Sequence, residues 1–391
     1  MGFACWWVYP LVRVYNTSMV DFVYVDEKEG LREMIRRLGR SRSFAVDLES
    51  DSFHHYGDRI ALLQFSDGGH AYIVDPLRVD LDPLSDLLGD VSREKVFHDA
   101  DYDGRMILTF LGVKPSPVFD TMIAARILGK EKVGLADLLE EYLGISLDKA
   151  FQKADWSRRP LDREMLRYAA LDVLHLLELR DRMEEEMARL GRLEWAREEF
   201  RLVVEGMSPM PERKPDFARV KGARDLDPHR LAVLQKLLEW REGKARRMDL
   251  PPFKVVGTER LLKLAEAVPR TRRELEASGA LSPRQMRSFG EEVLKAVEKG
   301  WREPPERWPR FPAPERTRRD LEAERVLRRF KEARDRRAEE LGLDPGFLLP
   351  NSALKELARR KPRSLEDIRK SGILKEWQVK EMGEALAANL E

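Results

Sequence analysis

The chain has 391 residues, 42% of them hydrophobic and 36% charged, with 71 Lys+Arg against 70 Asp+Glu. At roughly 100 to 200 residues per domain this is a globular chain of two to four domains, and its near-neutral balance singles out no partner. The only cysteine, Cys5, excludes an internal disulfide and thiolate zinc clusters and points to a reducing, cytoplasmic setting.

The opening "MGFACWWVYPLVRVYNTSMV" is apolar but contains Pro10 and Arg13, and lacks the pattern of a signal peptide. Residues 1–19 therefore read as an N-terminal extension. Met19 is a second candidate start, because "MVDFVYVDEKEGLREMIRRL" reads as a strand followed by a helix. No run reaches about 18 uncharged apolar residues, so no membrane span is expected.

From 20 to 205 strand-like and helix-like segments alternate. "SFAVDLE", "RIALLQFS", "AYIVD", "KVFH" and "SPVFD" are short apolar runs, while 81–89, 101–111, 121–128, 135–143 and 162–186 carry helical spacing. Three strands in succession, then strands separated by helices, predict an α/β domain with a mixed sheet flanked by helices. A linker spans 206–226. Beyond it no strand is expected, and a repeat emerges at an offset of 93 or 94 residues. Trp240, Arg241 and Glu242 match Ala333, Arg334 and Asp335; Phe253 matches Phe347, Pro269 matches Pro362 and Gly279 matches Gly372. A unit of that length present twice predicts two small all-α bundles, 227–300 and 320–391, joined by a Pro/Arg-rich linker over 301–319.

Asp47 and Glu49 end the first of the apolar strands on one strand face. Their mutual repulsion needs compensation, and a pair of divalent metal ions would provide it. Asp-x-Glu recurs at Asp162/Glu164 and Asp320/Glu322, where solvated charges near helix starts explain it. In "VFHDADYDGRMILTFLG" a strand gives way to a helix. Asp99 and Asp101 suit an N-cap, and Asp103 lies at the edge of an apolar face of Met106, Ile107, Phe110 and Leu111. Spacing alone does not rank the three aspartates. In "RYAALDVLHLLEL" Tyr168 and Asp172 share a helix face with His175 and Leu176, with Leu171, Leu174 and Leu177 turned toward the core. Four carboxylates suit Mg²⁺ or Mn²⁺. Two such ions about 3.5 to 4 Å apart activate a water and stabilise the leaving oxygen of a phosphodiester. A neutral phenol beside them is suited to orienting that water.

Together these segments resemble the DEDD exonuclease superfamily in its tyrosine-bearing branch, and most closely the ribonuclease D family. "AVDLESDSFHHYGDRIALLQFS" is similar to the first exonuclease motif, "HDADYDGRMIL" with "VFDTMIAARILG" to the second, and "YAALDV" to the third. "FQKADWSRRPL" is similar to the segment before the third motif, and the two repeats to tandem helicase-and-RNase-D C-terminal (HRDC) domains. The resemblance implies a ribonuclease-H-like fold over 20–205. It also implies 3′ to 5′ hydrolysis of RNA, such as tRNA precursors, releasing 5′-mononucleotides. Under it Asp47 bridges both metals, Glu49 and Asp172 hold the metal that activates water, and Asp103 holds the second. Tyr168 orients the nucleophile. The family spacing from His98 selects Asp103 over its neighbours.

Contacts to the substrate are expected from Lys153, Arg158 and Arg159 toward phosphates. Phe53, His54, His55 and Tyr56 are expected at the terminal nucleotide. Gln64 reads either as a substrate contact or as a core amide. Trp156 reads as packing and Asp120 as an N-cap. No P-loop is present, which argues against a nucleotide cofactor and an ATP-driven helicase. Basic stretches in the repeats, such as "RRFKEARDRRAEE", are interleaved with acids and read as salt-bridged helix surface. Two alternatives stay open on the residues alone: a Werner-type 3′ to 5′ DNA exonuclease, and a nucleic-acid-binding adaptor that holds metal without turnover.

Overall fold

The computed structural model describes residues 13–17, 20–147, 150–212, 214–312 and 320–390. The candidate start at Met19 and linker residues 313–319 lie outside the described residues.

Seven strands form one sheet: β1 (Arg13–Thr17), β2 (Val20–Val25), β3 (Ser43–Ser50), β4 (Ile60–Ser66), β5 (Ala71–Val74), β6 (Glu94–Phe97) and β7 (Val118–Asp120). Their order is β1-β2-β5-β4-β3-β6-β7. β1 with β2 and β4 with β5 run antiparallel, whereas β2 with β5, β3 with β6 and β6 with β7 run parallel, so the sheet is mixed as expected. The extension contributes more than expected: residues 13–17 pair with the β2 edge, where a short run of Val, Tyr and Thr suits a strand.

Eight helices cover the sheet: α1 (Lys28–Leu38), α2 (Leu84–Gly89), α3 (Ala100–Leu111), α4 (Thr121–Ile127), α5 (Leu135–Leu143), α6 (Arg163–Leu174), α7 (Leu176–Arg189) and α8 (Leu193–Gly206). Strand alternation divides the core. Phe44, Val46 and Leu48 of β3 join the side packed by α1, α2 and α3. Ala45 joins the opposite side, packed by α4 to α8. Asp47 and Glu49 share the face of Ala45 by period two, which is the face where α6 lies.

Two expectations about helix faces are corrected. The stretch 162–186 is not one helix but breaks at His175 between α6 and α7. The core side of α6 is Met165, Leu166, Ala169, Ala170 and Val173, while Leu171, Leu174 and Leu177 are half-buried. The small alanines let α6 approach the sheet closely. On α3, Met106 and Ile107 are buried but Phe110 is 46% exposed, because the narrow contact stripe also uses Ala100 and Gly104.

The repeat becomes two sets of five helices: α9 (Pro228–Met248), α10 (Pro252–Val255), α11 (Thr258–Ala267), α12 (Arg272–Ala277) and α13 (Pro283–Trp301), then α14 (Leu321–Leu341), α15 (Pro345–Leu348), α16 (Asn351–Arg360), α17 (Leu365–Lys370) and α18 (Glu376–Ala387). Equivalent positions make equivalent bonds. Arg241 donates to the Val256 carbonyl and the Thr258 hydroxyl, each at 3.0 Å. Arg334 donates to the Leu349 carbonyl and the Asn351 amide oxygen, also at 3.0 Å. Positive φ falls at Val268 and Lys361 alike.

The copies differ in what they join. The first has its own core and forms a compact unit with Ser50–Arg59. The second shares a core with α4 to α8. There Arg192 donates to the carbonyls of Ile127 and Leu341 at 2.8 and 2.6 Å, and Glu198 receives the first N–H groups of α18 at 2.8 and 2.9 Å. The stretch 20–205 is therefore not one compact body, since its segment 50–59 folds with the first repeat. Among the described residues no helix is long and apolar enough to cross a membrane.

Candidate active site

β3 and β6 are parallel neighbours, so both end at one edge of the sheet. The last turn of chain on β3 carries Asp47 and Glu49, and the chain leaving β6 enters α3, which carries Asp103 one turn in. Asp172 is on α6, over the same face as Asp47. Carboxylate oxygens of Asp47, Glu49 and Asp172 lie within 4.8 Å of one another. Asp103 is 6% exposed, and its Oδ2 is buried without a hydrogen-bond partner.

Burial, reinforced by neighbouring carboxylates, holds Glu49, Asp103 and Asp172 well above the ordinary carboxylate range, and burial alone raises Asp47. The Asp47 charge acts on each of the other three. Two like charges 4 Å apart repel by about 4 kcal/mol at an effective dielectric near 20. An all-oxygen donor set with an orphaned buried oxygen fits hard divalent cations.

One carboxylate fixes the start of α3. Asp120 accepts from the N–H groups of Met122 and Ile123 at 2.8 and 3.1 Å, capping α4 as expected, and also from Ala100 and Asp99 at 2.7 and 3.3 Å. Neither Asp99 nor Asp101 caps α3. Asp99 adopts a left-handed conformation with no side-chain cap, and Asp101 faces Arg105 at 3.7 Å. His98, at the same turn, lies 2.9 Å from the Thr121 hydroxyl, and burial pushes its imidazole down to about 4.

Tyr168 hydrogen-bonds the Asp172 carboxylate, one helical turn away. Its ring is held between Phe151, edge-on at 5.8 Å, and Trp156 at 6.1 Å. Trp156 is fully buried, as its packing role predicts. Phe151 was not foreseen, since nothing in its spacing marks it.

The other expected contacts separate into groups. Lys153 and Arg158 are exposed. Arg159 is corrected: its guanidinium donates to Asp75 at 2.6 and 2.7 Å and to the carbonyls of Ala61, Trp156 and Arg158. All five of its N–H groups are thereby engaged, so it braces the sheet instead of meeting phosphate. Gln64 is fully buried on β4, beside β3, with both amide atoms lacking a protein partner; it is not the satisfied core amide that a purely structural role would require.

Phe53, His54, His55 and Tyr56 lie in the segment that folds with the first repeat. Asp249 is its anchor, accepting from His55 Nδ1 at 2.8 Å and from the Tyr56 N–H and Arg59 at 3.2 Å. The Tyr56 hydroxyl donates to Glu242 at 2.7 Å and its ring lies under Arg246. Tyr56 is thus an anchor, not an open nucleotide contact. Neither Asp249 nor Glu242 was foreseen, because about 190 residues separate them from their partners.

Comparison with known proteins converges on this arrangement. A family model described as 3′-5′ exonuclease matches residues 22–188, and the HRDC domain model matches 230–297 and 323–390. Ribonuclease D of Pseudomonas paraeruginosa is 30% identical over 378 residues, covering 95% of this chain and 98% of the relative. That of Escherichia coli K12 is 32% identical over 282 residues, covering 72% and 75%. The crystal structure of Escherichia coli RNase D, an exoribonuclease involved in structured RNA processing, superposes with a TM-score of 0.72 at 27% identity, covering 94% of this chain and 98% of that one. A protein from Bifidobacterium adolescentis superposes with a TM-score of 0.81 at the same identity, covering 94% and 96%. The chain belongs to the ribonuclease D family and is a hydrolytic 3′ to 5′ exoribonuclease.

Proposed function

We propose that this enzyme trims the 3′ ends of structured RNA, tRNA precursors in particular, in a reducing cytoplasm and with two Mg²⁺ or Mn²⁺ ions. The observation that carries the reading is the convergence of four acids, Asp47, Glu49, Asp103 and Asp172, with a tyrosine bonded to one of them.

In this reading Asp47 would serve both ions, with Glu49 and Asp172 as further ligands of one and Asp103 of the other. When bound, the ions supply a water activated at neutral pH and charge neutralisation for the leaving oxygen. Tyr168, set between Phe151 and Trp156, orients the attacking water by hydrogen bonding. The fixed start of α3 keeps Asp103 in register with β3. Phe53 and His54 meet the terminal nucleotides, and Lys153 and Arg158 attract the phosphates.

The test is incubation of purified protein with a 3′-extended tRNA-like RNA and its DNA counterpart, with Mg²⁺, Mn²⁺ or chelator, beside Asp47→Asn. Stepwise 3′ shortening of the RNA, lost in chelator and in the variant, is expected. Equal shortening of the DNA would remove the RNA preference, and activity retained in chelator would remove the metal assignment.

A further inference from the structure

The unit formed by 50–59 and the first repeat presents two aromatic rings to solvent. Phe53 is 51% exposed and Phe253, on α10, is 53% exposed. The rings meet edge to face with centroids 6.4 Å apart. Lys254, the next residue, places its Nζ 3.5 Å from His54 Nδ1, so a cation flanks the pair. Singly exposed apolar side chains are ordinary, but two rings exposed in contact make a contiguous apolar patch.

The duplication supplies an internal comparison. Phe347 occupies the position of Phe253 in the second repeat, where it is half-buried and stacked on Trp377 at 5.9 Å. Trp377 in turn stacks on Trp195 at 4.8 Å. The same ring in the same element is packed away in one copy and left open in the other. Its support is rigid, because Asp249 ties down His55, Tyr56 and Arg59 beside it. A ring pair fixed in advance loses little freedom when a ligand settles on it.

We propose that Phe53, Phe253 and Lys254 form a stacking platform for an unpaired nucleobase of single-stranded RNA, with Lys254 meeting the adjacent phosphate. The assignment of Phe253 and Lys254 rests on the reading of this chain as an RNA-trimming enzyme. Every base has a π-face, so aromatic stacking with a neighbouring cation holds a strand without regard to sequence. An apolar protein segment is the competing occupant, and the test separates the two.

The experiment measures binding of the full chain, in chelator, to a labelled single-stranded RNA and to a series carrying one abasic site at successive positions from the 3′ end. In the unmodified protein at least one abasic position should weaken binding about 5- to 100-fold. Phe253→Ala should weaken binding of the intact RNA by a similar factor and abolish the sensitivity at that position, and Phe253→Trp should restore both. Should Phe253→Ala fail to fold, Phe253→Leu keeps the volume and removes the π-face. An abasic profile that is flat, or identical in wild type and variant, overturns the platform and leaves a protein partner as the occupant. Shortening of the intact RNA with Mg²⁺, assayed in parallel, reports on the trimming reading alone: its absence sinks that reading, whereas shortening with a flat profile sinks only the platform.

Discussion

The carboxylate of Glu199 receives the Trp377 indole N–H at 2.7 Å, so a single acid on α8 holds a ring on α18. The same carboxylate takes Lys375 Nζ at 2.6 and 2.7 Å and is only 6% exposed. Removing one partner of a buried charged set leaves the other unpaired. Glu199→Ala should therefore cost about 3 kcal/mol in chemical denaturation, and Glu199→Gln, which keeps an acceptor, less. A cost below about 0.5 kcal/mol for the alanine variant would show that the second repeat is held by apolar packing alone.

The raised carboxyl groups of the active site give a pH dependence of definite sign. Asp47, Glu49, Asp103 and Asp172 bind protons in the folded state at pH values where the unfolded chain has released them. Stability of metal-free protein should thus fall as pH rises above the ordinary carboxylate range. Calorimetry in chelator should show a lower melting temperature at about pH 8 than at about pH 5, a difference reduced by Asp103→Asn and reversed by divalent ions. The opposite slope would mean that the four groups are not mutually repelling in the free enzyme.

Tyr168→Phe removes one hydroxyl and keeps a ring between Phe151 and Trp156. The fold should survive, while kcat on RNA drops by about 100-fold, the scale of a misplaced reactant. Asp103→Asn should lose more, about 1,000-fold or beyond, since it removes a charge as well as an oxygen donor. Rates for Tyr168→Phe within twofold of wild type would assign the tyrosine to packing.

Two adjacent arginines should separate cleanly. Arg159→Ala strips buried Asp75 of its charged partner and should cost about 3 to 5 kcal/mol of stability. Arg158→Ala should leave stability within about 0.5 kcal/mol and weaken RNA binding, with a salt dependence shallower by about 0.7 in log–log slope. Arg159 also sets an acid limit. It holds Asp75 below the ordinary aspartate value despite burial, so this stabilisation is present above about pH 4 and is lost as pH falls through the lowered value. The Asp75→Asn variant should lack that loss.

The sequence alone determined a great deal. Short apolar runs marked the buried strands, the two-residue period of a strand placed Asp47 and Glu49 on one face, and helical spacing paired Tyr168 with Asp172. The long offset revealed a duplication that the two five-helix sets reproduce, with Arg241 and Arg334 making matching bonds. Each of these signals is local, carried by residues a few positions apart or by self-similarity, and survives without knowledge of tertiary contacts. Residue type alone did not say which arginine reaches RNA, because Arg158 and Arg159 are identical until Asp75, 84 residues away, claims one of them. Nor did it say that Asp120 holds two helix starts, that 50–59 is anchored by Asp249, or that Phe253 is open where Phe347 is covered. Those outcomes depend on which distant surfaces meet, and pairings across about 20 to 190 residues leave no periodic trace.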